Sequence, residues 1–177
     1  MAAAKPSFHV SEHRTKGEVR NCLFGDLNGE GFMDIVSISN VVSETSNSLT
    51  RWVNVFPGSA SGQFAETAAQ VFQVPADAAV VDLGEVDPAS KGVELVFLTS
   101  DGVIYHPWQG GKLAETPRKL MDEQTMFPVV DESLAVSFDF VKDWTGDGRD
   151  DVLGEGNVLA GNMNVQKQLG ALIGGKA

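Results

Sequence analysis

Two short acidic loops carry the side chains of this sequence that are best suited to bind a metal ion. Both loops have oxygen-bearing side chains at positions 1, 3, 5 and 9, and glycines at positions 4 and 6. Calcium takes about six to eight oxygen ligands, and alternate residues of a tightly turned loop can direct several oxygens at one point. Calcium (Ca2+) is therefore the predicted cofactor. The predicted ligands are Asp26, Asn28, Glu30, Asp34 and the carbonyl of Phe32 in the first loop, and Asp143, Thr145, Asp147, Asp151 and the carbonyl of Arg149 in the second.

Other metal sites fit these loops less well than calcium does. Magnesium prefers a rigid octahedron and retains more of its water, and neither loop contains the His or Cys typical of zinc and iron sites. An EF-hand would need a bidentate glutamate at position 12, where Ser37 and Gly154 stand. An ordinary Asx/Gly turn that binds no metal stays open as the alternative interpretation of each loop.

The loops lie within a longer repeat. Residues 53–66 return, with one gap, as residues 103–115. The leading aspartates Asp26, Asp82 and Asp143 are 56 and then 61 residues apart. The version that begins at Asp82 lacks acidic side chains at its third and fifth positions, so we assign it no metal. Its insertion at residues 87–91 is expected to form a plain turn.

Short apolar and β-branched runs flank each loop, which indicates strands. Four strands per repeat at this period are typical of propeller blades. We therefore predict an all-β single domain of about three four-stranded antiparallel β-propeller blades, at residues 15–75, 76–130 and 131–177, with the last blade incomplete. The predicted strands lie before the loops at 19–24, 79–83 and 136–141, after them at 35–38, 95–98 and 152–153, and further along at 52–56, 64–74, 103–105 and 112–120.

The C-terminal stretch has a different pattern from the rest of the chain. Val165, Leu169, Leu172 and Ile173 fall at the spacing of an amphipathic helix. Gly170 weakens that pattern. A short C-terminal helix and an irregular end of the third blade both remain open.

Composition argues against several classes of partner. The 24 acidic and 13 basic residues give a formal charge of −11, with no Lys/Arg cluster for nucleic acid or an anionic membrane. The chain has neither a secretory signal nor a run of about 20 apolar residues that would insert into a bilayer. Its single cysteine, Cys22, lies in an apolar run and is expected to be a buried thiol.

The loops and their flanking strands resemble FG-GAP/VCBS repeats. The resemblance rests on Phe24-Gly25-Asp26 with Asp34-Ile-Val, on the matching pattern at residues 139–153, and on residues 53–64 as the following strand and turn. It implies blades like those of the integrin α-subunit propeller, with calcium in a loop between strands. It also implies an extracellular, cell-surface or periplasmic location, and a role in adhesion, ligand binding or as an appendage to enzymes such as polysaccharide lyases.

The resemblance predicts a calcium-binding interaction or scaffolding module that binds a protein or cell-surface partner. Propellers close with about four to eight blades, whereas this chain has about three. Three explanations stay open: a fragment of a larger propeller, self-association, or completion by another chain.

Catalytic signatures are lacking in the sequence, so we predict that the protein is not an enzyme. No nucleophile elbow, phosphate-binding glycine loop or His-Glu-x-x-His motif occurs. An aromatic group at Tyr105, His106 and Trp108 is a weaker candidate for ligand binding, by stacking on a glycan or anchoring a protein. Packing in the interior is the competing interpretation of that group. The alternative function is a carbohydrate-binding, lectin-like domain or an accessory domain of a polysaccharide-active enzyme.

Overall fold

The computed structural model describes residues 10–78, 80–122, 136–137, 139–146, 148–154 and 157–160. These residues form strands, turns and loops, and the predicted all-β class is confirmed. Within this part of the chain there is no helix long and apolar enough to cross a membrane. The C-terminal helix predicted after residue 162 lies outside the described residues.

The first sheet is an antiparallel meander of four strands. Neighbours along the chain are neighbours in the sheet, in the order β1-β2-β3-β4. The strand predicted at residues 64–74 is shorter than expected, because pairing with β3 begins only at Gln70. The strands are β1 (Glu18–Gly25), β2 (Asp34–Val42), β3 (Leu49–Phe56) and β4 (Gln70–Val74).

The second sheet has the same meander with two additions. A two-stranded hairpin, β8 (Trp108–Gln109) with β9 (Lys112–Leu113), splits the strand that the sequence predicts at residues 112–120. A short strand, β11 (Val136–Ser137), lies parallel to β5 at the edge of the sheet. The four main strands are β5 (Val80–Gly84), β6 (Glu94–Thr99), β7 (Gly102–His106) and β10 (Arg118–Asp122).

The third sheet is described as three antiparallel strands, β12 (Val141–Lys142), β13 (Asp151–Gly154) and β14 (Asn157–Ala160). The prediction of a single strand at residues 136–141 is wrong, because β11 joins the second sheet and β12 begins the third. The carboxylate of Asp82 accounts for the change of sheet, since its Oδ2 accepts N–H groups from Phe140 (2.8 Å) and Val141 (2.9 Å). None of the sheets that the structure describes is closed into a barrel.

Strand register defines which residues of the three sheets are equivalent. Gly25 pairs with Asp34 in the first sheet, Gly84 with Glu94 in the second, and Lys142 with Asp151 in the third. The loop residues that follow the first members of these pairs are Asp26, Glu85 and Asp143, so Glu85 stands 59 residues after Asp26 and Asp143 stands 58 after Glu85. The sequence-based alignment of Asp82 with Asp26 is therefore wrong by three residues.

The sheets are stacked on one another, with the second in the middle. Strand β6 is buried along its whole length. Its residues Leu95 and Phe97 pack in a core shared with the first sheet, whereas Val96 and Leu98 pack in a core shared with the third. A strand covered on both faces reads as a continuous apolar run, as Leu95 to Leu98 does.

Glycines set the distance between consecutive sheets. A Cβ atom placed on Gly25 would lie 2.7 Å from Cδ1 of Leu83 in the second sheet. A Cβ atom on Gly84 would overlap Cγ1 of Val141 in the third sheet. The first strands of the three meanders, β1, β5 and β12, which we call the innermost strands, thus approach one another at Gly25 and Gly84, where only glycine leaves room.

Replacing Gly84 by alanine tests this close approach. The added methyl group would lie 2.9 Å from Cβ of Val141 as well as overlapping its Cγ1. We expect the free energy of unfolding, measured by urea denaturation, to fall by about 1–3 kcal/mol because overpacking displaces neighbouring atoms.

Val141→Ala provides the control, since it removes the methyl group that the new Cβ would meet. The double variant is expected to lose less stability than the two single variants together. Fully additive losses would show that the second and third sheets do not approach each other at Gly84.

Candidate metal-binding loops

The first loop gathers Asp26 and Asn28 around its own backbone. Oδ1 of Asp26 (3.1 Å) and Oδ1 of Asn28 (2.9 Å) both accept the N–H of Glu30, and Oδ2 of Asp26 accepts the N–H of Gly31 (2.7 Å). Gly31 has a φ of +87°, in the left-handed region that favours glycine. Two of the predicted ligands are therefore brought together by a turn that their own oxygens stabilise.

Asp34 is directed differently from the other predicted ligands of the first loop. Its carboxylate is buried, and Oδ2 accepts the N–H of Leu27 (2.9 Å) while Oδ1 accepts the N–H of Gly58 (2.7 Å). Glu30 and Phe32, the remaining predicted ligands, are exposed. Asp34 thus links the loop to the turn after β3 by hydrogen bonds.

The loop in the third sheet repeats the arrangement of Asp26 and the bond from Oδ2 of Asp34 to the start of the loop. Asp143 accepts the N–H of Gly146 on Oδ1 (2.6 Å) and that of Gly148 on Oδ2 (2.9 Å). Asp151 accepts the N–H groups of Trp144 (3.0 Å) and Thr145 (2.9 Å) on Oδ2. Among the other predicted ligands, Arg149 is exposed, and Asp147 lies outside the described residues.

Two polar atoms of the third-sheet loop are buried without a hydrogen-bond partner in the described part of the chain. They are Oγ1 of Thr145 and Oδ1 of Asp151, and the whole of Asp151 is inaccessible to solvent. A buried oxygen without a partner costs about 1–3 kcal/mol, and more when it is charged. Both atoms belong to predicted calcium ligands, and a cation is the partner that would offset this cost.

The middle loop engages its carboxylates within the protein only in part, because Oε1 of Glu94 and Oγ of Ser90 are buried without a hydrogen-bond partner among the described residues. Oε2 of Glu94 accepts the N–H groups of Val86 (2.8 Å) and Asp87 (3.0 Å), and burial raises the pKa of this carboxyl. Oδ2 of Asp87 accepts from the guanidinium of Arg118 (2.8 Å) and from the hydroxyl of Tyr105 (3.2 Å). The predicted plain turn at residues 87–91 is confirmed by the N–H of Ser90, which donates to the Asp87 carbonyl (2.9 Å).

The described residues contain no group of three or more His, Cys, Asp or Glu side chains placed to hold a metal ion. In the first loop, Asp34 accepts the N–H groups of Leu27 and Gly58, whereas Asp26 accepts those of Glu30 and Gly31, so the two carboxylates serve different amides. In the third sheet the described acidic ligands are Asp143 and Asp151, and neutral Thr145 stands between them in the chain. The loops therefore offer small sets of oxygens rather than an acidic cluster.

The aromatic group predicted as a weak ligand site does not form one exposed face. His106 is fully buried between the rings of Phe72 and Phe97, at centroid distances of 5.2 and 5.8 Å. Its Nδ1–H donates to the Ala114 carbonyl (2.7 Å), and burial lowers its pKa. Tyr105 is 9% exposed, and half-buried Trp108 lines an open groove of about 430 Å³ beside the β8–β9 hairpin.

Sequence reasoning missed the exposed side of β1. Cys22, expected to be buried, is exposed, and so is Phe24 at 59%. Leu23, between them, packs toward the second sheet. Successive side chains of a strand point to opposite faces, so one face of β1 could be predicted to be exposed. The apolar run at residues 19–24 does not show which of the two faces is buried.

No protein-family model, curated protein or solved structure matches this chain in the three comparisons with known proteins.

His106 makes stability sensitive to acid. Its folded-state pKa is lowered, so its contribution is fully present above the unfolded-state pKa of about 6.5 and is lost as pH falls below that value. We expect a loss of up to about 1.4 kcal/mol per pH unit in the free energy of unfolding, measured by urea denaturation from pH 7.5 downward.

His106→Phe is the matched variant, because His106 pairs with Leu95 as Phe56 pairs with Ile35. It loses about 1 kcal/mol at neutral pH with the hydrogen bond to Ala114, and its deficit shrinks in acid. The half-buried carboxyl of Asp82 and the buried carboxyl of Glu94, whose pKa values are raised by burial, act with the opposite sign but are present in both proteins. Parallel pH profiles for the two proteins would contradict the assignment.

Proposed function

We propose that this chain is a calcium-binding module of propeller-type β-repeats, which serves as an interaction or scaffolding domain for a protein or cell-surface partner. The loop at residues 143–151 is its principal calcium site. Asp143, Thr145 and Asp151 hold the ion, together with the carbonyl of Arg149. Calcium supplies positive charge to buried oxygens, and the module carries out no catalytic step.

The observation that supports this proposal best is the pair of unpartnered oxygens on Thr145 and Asp151. A side-chain oxygen that is buried for packing alone would ordinarily find a donor within the fold. Both oxygens of Asp143 are directed into the same loop, where they accept the N–H groups of Gly146 and Gly148. The residues of this loop therefore fit the hard, oxygen-preferring chemistry of calcium.

The loop at residues 26–34 forms the weaker site. Asp26 and Asn28 supply oxygens that already converge on one backbone amide. Both oxygens of Asp34 are engaged by backbone N–H groups, so this carboxylate contributes less than its counterpart Asp151. The difference predicts two calcium affinities, with the tighter in the third sheet.

The stacked sheets support a propeller-type arrangement and hence an interaction role. Each sheet begins with a strand–loop–strand element in equivalent register, and each contact between sheets centres on a glycine. These features accord with the resemblance to FG-GAP/VCBS repeats. A stack of open sheets leaves terminal faces for a partner, as repeat proteins do without capping units.

The two described histidines have structural partners, which supports a non-catalytic protein. His106 is packed in the core, and Nδ1 of His13 donates to the Ala65 carbonyl (2.8 Å) beside the ring of Phe56. The glycan-binding alternative draws on Trp108 alone, because Tyr105 and His106 are interior. We therefore favour the interaction module over the glycan-binding alternative.

Calorimetric titration of calcium into chelator-stripped protein tests the proposal. We expect saturable binding of about two ions per chain by coordination to the two loops. Asp143→Ala removes the tighter site and Asp26→Ala the weaker one. Calcium at about 100 times its Kd stabilises the fold by about 2.7 kcal/mol, seen as a raised melting temperature. A titration without heat and an unchanged melt would reduce both loops to ordinary turns.

Thr145→Val separates the role of the ion from that of the loop. In chelator this variant is expected to be as stable as wild type or more stable, because it removes an unpartnered buried hydroxyl. In calcium it should lose part of the added stability. Thr99→Val is the matched control, since Oγ1 of Thr99 donates to the Gly102 carbonyl and its loss destabilises equally in both conditions. Equal behaviour of the two variants would contradict the site.

A further inference from the structure

Two large apolar side chains of the first sheet are exposed on the side that faces away from the second. Phe24, at the end of β1, is 59% exposed, and Met33, at the end of the adjoining loop, is 55% exposed. We call these two residues the outward patch. Exposed apolar side chains that adjoin in this way mark interaction surfaces more often than isolated ones do.

Strand register identifies the residues of the other sheets that are equivalent to the outward patch, and these residues contact the preceding sheet. Leu83 and Val93 occupy the places of Phe24 and Met33 in the second sheet. Both lie against Gly25 of the first sheet, at 2.7 and 2.9 Å from the Cβ atom that glycine lacks. In the second sheet, therefore, this pair of positions covers Gly25 of the preceding sheet.

The third sheet repeats the contact with the second. Val141 and Asp150 occupy the same two places, and both lie against Gly84. A hydrogen bond also joins the same two positions at each contact, in opposite directions: Oδ2 of Asp150 accepts the N–H of Glu85 (2.7 Å), whereas the N–H of Val93 donates to the Asp26 carbonyl (3.0 Å). The contact is thus made twice at equivalent positions, and the outward patch occupies those positions in the first sheet.

We propose that the outward patch docks a β-sheet of another polypeptide whose innermost strand carries glycine at the place of Gly25 and Gly84. The partner is thus a sheet of the same kind as those in this chain. The proposal deepens the proposed function by naming its partner, and it rests on the stacked architecture and not on calcium.

A second wild-type copy does not fit this role. The third sheet has Lys142 in the place of the glycine, and the Lys142 ammonium lies 5.6 Å from the centroid of the Trp144 ring. Gly25 and Gly84 are already covered within the chain. The formal charge of −11 also opposes association of two copies.

Residues 10–17, which we call the strap, bound the docking surface. The N–H of Lys16 donates to Oδ1 of Asn54 (2.8 Å), and its ammonium lies 3.2 Å from the ring centroid of Trp52. The N–H of Arg14 donates to the Glu66 carbonyl (2.7 Å). The strap thus covers β3 on the outward side and leaves Phe24 and Met33 for the partner.

Lys142→Gly tests the proposal by giving the third sheet the missing glycine. The full chain then carries both halves of the contact, and sedimentation velocity is expected to show concentration-dependent, head-to-tail association. The wild type is expected to stay monomeric. Adding Phe24→Asp should weaken this association by at least about tenfold. Adding Val42→Asp, at an exposed site at the far end of β2, should leave it unchanged.

A mixture of a double variant with the wild type tests the same contact in a complex of defined composition. Lys142→Gly with Phe24→Asp carries only the glycine half, and the wild type carries only the patch, so together they should form a one-to-one complex. Met33→Cys, in a chain with Cys22→Ser, should react freely with a maleimide when alone and be protected in that mixture. Protection in the isolated chain would show that the chain's own segment fills the patch, and would overturn the proposal.

Other results would also overturn it. A folded Lys142→Gly variant that stays monomeric, or one whose association survives Phe24→Asp, removes the proposed contact. If the wild type formed dimers and Phe24→Asp abolished them, the outward patch would bind a second copy and the proposal would be wrong. All runs are made in chelator and again in calcium, so association in chelator stands even if calcium binding fails, and calcium binding stands even if association fails.

Discussion

The structure depends on one recurring interaction, in which the carboxylate at the start of the second strand holds the backbone at the start of the loop before it. Asp34 accepts the N–H of Leu27, Glu94 that of Val86, and Asp151 that of Trp144. All three carboxylates are buried. Hydrogen bonds to a charged acceptor are about twice as strong as neutral ones, so each loop is fixed whether or not an ion is present. What differs between sheets is the use of the second carboxylate oxygen: Asp34 gives it to Gly58, whereas those of Glu94 and Asp151 have no partner among the described residues.

Because the loops are fixed, the innermost strands can approach closely enough to stack the sheets. Gly25 and Gly84 meet side chains of the next sheet, and the two cores on either side of β6 form around these contacts. The first and third sheets, at the two ends of the stack, present different side chains. One end presents Phe24 and Met33, and the other presents Lys142 and Trp144 in places that are covered elsewhere. The difference between the ends gives the stack a direction, and the proposed partner at the first sheet depends on it.

Sequence patterns predicted the strands and the loops well, because alternation and glycine spacing are local properties. They placed β1, β5, β6 and β7 closely, whereas β2 is more than twice as long as the strand predicted at residues 35–38. The repeat of residues 53–66 as 103–115 also matched His106 with Phe56. They failed where the answer depends on contacts between sheets. The alignment of Asp82 with Asp26 missed Glu85, since Asp82 instead binds the amides of Phe140 and Val141 and carries the chain into the next sheet. Nor could spacing show that Asp34 would use both oxygens on the backbone while Asp151 would not.

Terbium luminescence tests the central claim that the third-sheet loop binds calcium. Trp144 lies within this loop and is 47% exposed, so it can transfer excitation to a lanthanide ion held by the neighbouring ligands. We predict sensitised terbium emission that calcium displaces, that Trp144→Phe abolishes without loss of calcium binding, and that Asp26→Ala leaves unchanged. Emission that is absent, or that calcium does not displace, would contradict the account.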